Sequence, residues 1–120
     1  MSLGDTQREV HDWIDQFEEG YWEPLAMLAR VTEEVGELAR EINHRYGQKP
    51  KKPGEPAAAL DEEIADVIFV LVALANSLDV DLDRAFAEVM NKYRSRDASR
   101  WKRRDRKIGR AGSDDPADQT

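Results

Sequence analysis

The chain has 120 residues, 40% of them hydrophobic and 36% charged, with no cysteine. That length predicts one ordinary domain with a single core, and the lack of cysteine excludes disulfides, thiolate nucleophiles, Cys-ligated zinc and iron–sulfur clusters. The net charge of −7 is uneven: residues 1–93 hold nine Lys/Arg and 20 Asp/Glu, residues 94–110 hold nine and two, and residues 111–120 hold three acids and no base. An acidic body disfavours nucleic acid as a partner, because that affinity comes mostly from a basic surface that neutralises phosphates.

The opening MSLGDTQREV lacks a basic stretch followed by an apolar one, so no secretory leader is expected. The first predicted helix runs from about Thr6 to Glu19. Thr6 and Glu9 have capping-box spacing, Val10, Trp13, Ile14 and Phe17 repeat on one face, and Gly20 suits the C-terminal cap. Trp13 and Phe17 are expected in the core. A second helix is predicted from Pro24, favoured in a first turn, to Tyr46, stopping at Gly47, with an apolar stripe of Leu28, Val31, Val35, Leu38 and Ile42.

The stretch GQKPKKPGEP, with three prolines, reads as a loop whose Lys49, Lys51 and Lys52 are expected to be mobile. A third helix is predicted from about Ala57 to Ser77. Over IADVIFVLVALA it is apolar on every side, the pattern of a helix buried all round. So short a chain has barely enough neighbours to cover such a helix, which argues for a homodimer or homotetramer. Its longest apolar run, Val67 to Ala75, is nine residues, too short for the roughly 20 that a bilayer needs. Asp81 caps a fourth helix with the stripe Leu82, Phe86, Val89 and Tyr93, and the pattern fades past Arg96. Nothing alternates with period two, so the expected fold is all-α: four main helices per chain in an oligomeric bundle. Residues 1–100 would form the domain and 101–120 a flexible tail, basic and then acidic, of a cytoplasmic protein.

The chemistry-bearing residues are acids. On the second helix Glu34, Glu37 and Glu41 fall on one face with Glu33 at its edge, and the third helix repeats the i, i+3 spacing with Glu63 and Asp66. Such a band on one helix alone is usually a solvated face. Two pairs on two packed helices can converge on one point, and carboxylates that close repel unless a hard divalent cation such as Mg²⁺ or Mn²⁺ sits between them. Asp66 also opens the long apolar run, where burial of an unpartnered carboxylate is costly.

The strings Glu33-Glu34-Val35-Gly36-Glu37 and Glu63-Ile64-Ala65-Asp66 together resemble the EExxE and ExxD signature of the MazG-like nucleotide pyrophosphohydrolases, in the all-α NTP pyrophosphatase group. The similarity spans roughly Gly20 to Trp101. The resemblance implies hydrolysis of a nucleoside triphosphate between its α- and β-phosphates, with Glu34, Glu37, Glu63 and Asp66 as Mg²⁺ ligands and Glu33 on a further ion or the attacking water. Lys92, Tyr93 and Arg96 match a K-aromatic-x-x-R string, so Lys92 and Arg96 are candidates for the phosphates. Many members carry Asn where this chain has Met90, and Asn91, displaced by one, receives no role. Phosphoribosyl-ATP or dUTP as substrate, and a non-catalytic Mg²⁺-binding module, are the alternatives.

Tyr21 and Trp22 suit base stacking or packing, and Trp22 is carried as a substrate-binding candidate. His11 and His44 lie outside the acidic pattern and read as surface residues. The basic segment 94–110 reads as a solvated helix end or a contact with the acidic body of another subunit.

Overall fold

In the computed structural model the described residues are 1–54 and 59–105. Among them the chain is all-helical: α1 (Leu3–Asp15), α2 (Pro24–Tyr46), α3 (Leu60–Ser77) and α4 (Leu82–Lys92), with a π-helical turn Tyr93–Asp97 and no strand. It divides into two compact units, Met1–Phe86 and the residues from Ala87 on. No helix of the described residues is long and apolar enough to cross a membrane.

α1 begins earlier than Thr6. The Ser2 hydroxyl accepts from Asp5 N–H at 3.0 Å and the Asp5 carboxylate accepts from Ser2 N–H at 2.8 Å, forming the capping box at Ser2 and Asp5 and leaving Thr6 and Glu9 inside the helix. These bonds to Ser2, first of all its backbone N–H, hold the Asp5 carboxyl below its ordinary range. Asp83 accepts from the N–H groups of Leu3 and Gly4, both at 3.1 Å, so a distant acid closes the same terminus. A Cβ on residue 4 would lie 2.7 Å from an Asp83 oxygen, and glycine permits this approach. α1 also stops before Glu19, at Asp15, and Gly20 turns the chain at φ 66°.

α2 has the expected bounds. α3 begins at Leu60; its expected start at Ala57, like the end of the tail from residue 106, lies outside the described residues. α4 ends at Lys92. The Ser95 hydroxyl donates to Asn91 O, four residues back, at 2.8 Å, which competes with the α-helical ladder where the wider π turn begins.

α2 and α1 both pack on α3, and the core is Val10, Met27, Val72 and Ala73, flanked by Ile14, Tyr21, Leu74 and Leu82. Burial differs from the sequence pattern in three places. Trp13 and Phe17 pack edge to face yet stay half exposed. The buried stripe of α2 is Met27, Glu34 and Glu41, one residue back from Leu28, Val35 and Ile42, which remain 52%, 46% and 44% exposed. α3 is not buried all round: Val70, Val72, Ala73 and Ala75 are covered, while Ile64, Ile68, Phe69 and Leu71 are exposed.

Gln7 clamps α1 to the α3–α4 turn. Its Nε2 donates to Asn76 Oδ1 at 2.9 Å and Val80 O at 2.7 Å, and its Oε1 accepts from Leu82 N–H at 3.0 Å. Asn76 Nδ2 donates back to Gln7 O at 2.9 Å. α3 ends in a Schellman motif: Val80 N–H donates to Ala75 O and Asp79 N–H to Asn76 O, with Asp79 left-handed at φ 56°. Glycine adopts that conformation without a Cβ penalty, so Asp79→Gly is expected to stabilise the fold by about 0.5–1 kcal/mol and Asp79→Val to destabilise it. Urea unfolding midpoints of the three proteins check this.

Candidate metal centre

α2 and α3 run in opposite directions, so Met27 meets Ala73 at the apolar end of their seam and Glu34 meets Asp66 and Glu63 at the other. One oxygen each from Glu34, Glu63 and Asp66 lies within 4.8 Å of the others. Glu34 is buried, Glu63 half-buried and Asp66 exposed. The burial cost expected at Asp66 is therefore not incurred, because the start of α3 is open on that side.

Glu63 is the electrostatic centre of the group. Partial loss of water pushes its carboxyl above the ordinary value of 4.5, and the charges of Asp66, Glu37, Glu34 and Glu41 push it further. Glu37 thus acts on the cluster without joining its tightest group. Glu33 is exposed and sits about 100° round the helix from Glu34. The three convergent oxygens suit a hard divalent cation. Ligands at about 2.1 Å from an octahedral ion sit up to about 4.2 Å apart, so small side-chain movements close the site.

Cations also meet this seam. Arg30 Nη2 lies 2.9 Å from Glu34 Oε1, an i, i+4 pair visible in the sequence once Glu34 is singled out. Lys51 Nζ lies 3.1 Å from Oε2 of the buried Glu41, whose Oε1 has Arg45 Nε at 4.0 Å. Lys51, expected to be mobile, is instead tied to α2, and Glu41 is not the solvated neighbour that its place outside the motif implies. No local spacing signals a pair that a loop closes.

Trp22 is 46% exposed. It lines an open groove of about 960 Å³ with Arg8, His11, Tyr21 and Asn76. His11 Nδ1 and Asn76 Nδ2 approach Tyr21 Oη at 2.8 Å and 3.2 Å. Asn76 lies ten residues beyond Asp66, about 15 Å along α3, so the chain does not bring Trp22 to its own carboxylates. Lys92 and Arg96 are exposed and belong to the second unit. α4 ends at Lys92 and Arg96 lies in the π turn, so the two are not one α-helical turn apart.

These acids on two helices of an all-α fold define a class, and comparison with known proteins gives the family. Residues 22–101 match the MazG nucleotide pyrophosphohydrolase domain, and the chain belongs to that family. It is a pyrophosphohydrolase. YpjD of Bacillus subtilis is 58% identical over 104 residues, 87% of this chain and 94% of that protein. Its crystal structure matches with a TM-score of 0.70 over 78% of this chain and 95% of that one. A Bacillus-conserved MazG protein, described as a nucleotide pyrophosphohydrolase, matches with a TM-score of 0.69 and 48% identity over 82% and 96%. Mouse dCTP pyrophosphatase 1 is 36% identical over 71% of this chain, which spans 49% of that protein.

The raised Glu63 gives a pH test. A carboxyl whose folded pKa is raised stabilises the fold below its unfolded value of about 4.5 and loses that contribution as pH rises through the folded value. In metal-free buffer Glu63→Gln is expected to be more stable than the wild type at pH 7.5 and equal to it near pH 4. Urea midpoints at the two pH values read the difference.

Proposed function

We propose that the chain hydrolyses nucleoside triphosphates between the α- and β-phosphates, releasing the monophosphate and pyrophosphate, in a reaction that requires Mg²⁺ or Mn²⁺. The observation that carries this reading is the convergence of Glu34, Glu63 and Asp66 from two helices within 4.8 Å. Glu34, Glu37, Glu63 and Asp66 hold the cation. When bound, it neutralises phosphate charge and makes the attacking water more acidic. Glu33, at the exposed edge, orients that water or holds a further ion. The K-aromatic-x-x-R resemblance assigns Lys92 and Arg96 to phosphate, and Trp22, remote from its own chain's carboxylates, would stack on the base of a nucleotide held by another copy. The mouse relative's substrate, dCTP, supports a deoxynucleotide, and clearing surplus nucleotides in the cytoplasm is the role that fits.

The working form is a homodimer or homotetramer. Leu28, Val35 and Ile42 on α2 and Ile64, Ile68 and Leu71 on α3 leave apolar surface open in one chain, a load that monomers seldom carry. Light scattering at micromolar concentration is expected to give two or four times 13.7 kDa.

Pyrophosphate release from a panel of nucleotides, with dCTP, dUTP and phosphoribosyl-ATP included, tests the chemistry and picks the substrate. Glu37→Gln and Asp66→Asn are each expected to lower kcat by about two orders of magnitude, with partial recovery at higher metal concentration. Glu62→Gln, an exposed acid of α3, is expected to stay within about twofold of the wild type. Unchanged turnover in both ligand variants would overturn the ligand set.

A further inference from the structure

Glu34 and Glu41 are the buried charged residues among those described, and they lie seven apart, on one face of α2. Their counter-charges differ. Arg30, opposite Glu34, comes from the same helix with its side chain 48% exposed, whereas Lys51, opposite Glu41, comes from the loop after α2 and is 22% exposed against a carboxylate at 7%. A buried ion pair is a weak source of stability, since the attraction between the charges competes with the loss of their hydration. What it does fix is register: one lysine must return to one carboxylate.

We propose that Lys51 is a positioning residue of the metal centre: seated on Glu41, it cancels the fifth carboxylate of the α2–α3 seam and confines a divalent cation to Glu34, Glu37, Glu63 and Asp66. The inference rests on the reading of those four as ligands. Glu41 lies one turn, about 6 Å, beyond Glu37 on the same face of α2, so its uncancelled charge reaches the cluster. An extra carboxylate favours cations that take six to eight oxygens, whereas Mg²⁺ keeps several waters and uses few carboxylates. Lys51 thus sets both the field at the site and the number of oxygens on offer. Arg45, at 4.0 Å, is beyond hydrogen-bond range of Glu41 and adds a weaker positive charge from α2 itself.

The test is Mn²⁺ binding to the full chain without nucleotide, read from the free-ion electron paramagnetic resonance signal. Lys51→Met is expected to tighten Mn²⁺ binding by about threefold to tenfold, and Glu41→Gln to weaken it by a similar factor, because the first leaves an uncompensated negative charge near the ion and the second an uncompensated positive one. The double variant and Lys51→Arg are expected within about twofold of the wild type. Loss of a merely structural tie would weaken binding in both single variants, so shifts of the same sign, or none, overturn the proposal. If Lys51→Met does not fold, the isosteric Glu41→Gln decides by its own sign, since unchanged or tighter binding contradicts the inference. A wild-type chain that binds no Mn²⁺ removes the metal centre itself, whereas normal wild-type binding with unshifted variants removes only the role of Lys51.

Discussion

Repulsion among carboxylates in the α2–α3 seam is the constraint around which the first unit is built. Glu34, Glu63 and Asp66 converge across two helices, and with Glu37 and Glu41 nearby Glu63 holds a proton more readily than an ordinary carboxyl. The fold withstands it by dividing the seam lengthwise. One end is closed by Met27, Val72 and Ala73 with Val10 from α1, and the acidic end has Arg30 and Lys51 as local counter-charges. Filling the acidic end with apolar side chains would make a more stable pair of helices and a poorer site for a divalent cation, the common trade between stability and function.

The same division explains the exposed apolar row of α2. Its inward row carries the acids, so the conspicuous row of Leu28, Val35 and Ile42 is left partly outside. α2 thus presents one row to its own chain and another outward, and α3, with Ile64, Ile68 and Leu71 exposed, repeats the pattern. The residues that line the acidic end alternate round each helix with the exposed apolar ones, so the proposed assembly would couple site and interface.

Much of this was legible in the residues. Pro24 and Gly47 bracket α2, Asp81 marks the start of α4, and of the paired acids Glu34, Glu63 and Asp66 come together while Glu37 stays outside the tightest group. The errors have definite causes. Ser2 displaced Thr6 as the cap because Asp83, distant in sequence, reinforces the earlier terminus. Periodicity named Leu28, Val35 and Ile42 as the inward row of α2, since hydrophobicity alone cannot say that carboxylates will be buried beside them. The tie from Lys51 to Glu41 and the π turn at Ser95 depend on a loop path and on a hydroxyl's choice of acceptor, neither of which a local pattern encodes.

The clamp of Gln7 and Asn76 gives α3 two ends of unequal firmness. Its last turns are bound by side-chain amides, a closed cap and the packed core, while its first turns carry like charges and open apolar surface. Opening should therefore start at Leu60 and travel toward Val70, with amide exchange fastest where the acids are and slowest beside Asn76. A ligand that bridges the acidic end would quench this fraying. Part of its binding energy is thus spent on conformational entropy, so a chain already stiffened by one ligand receives the next at lower cost.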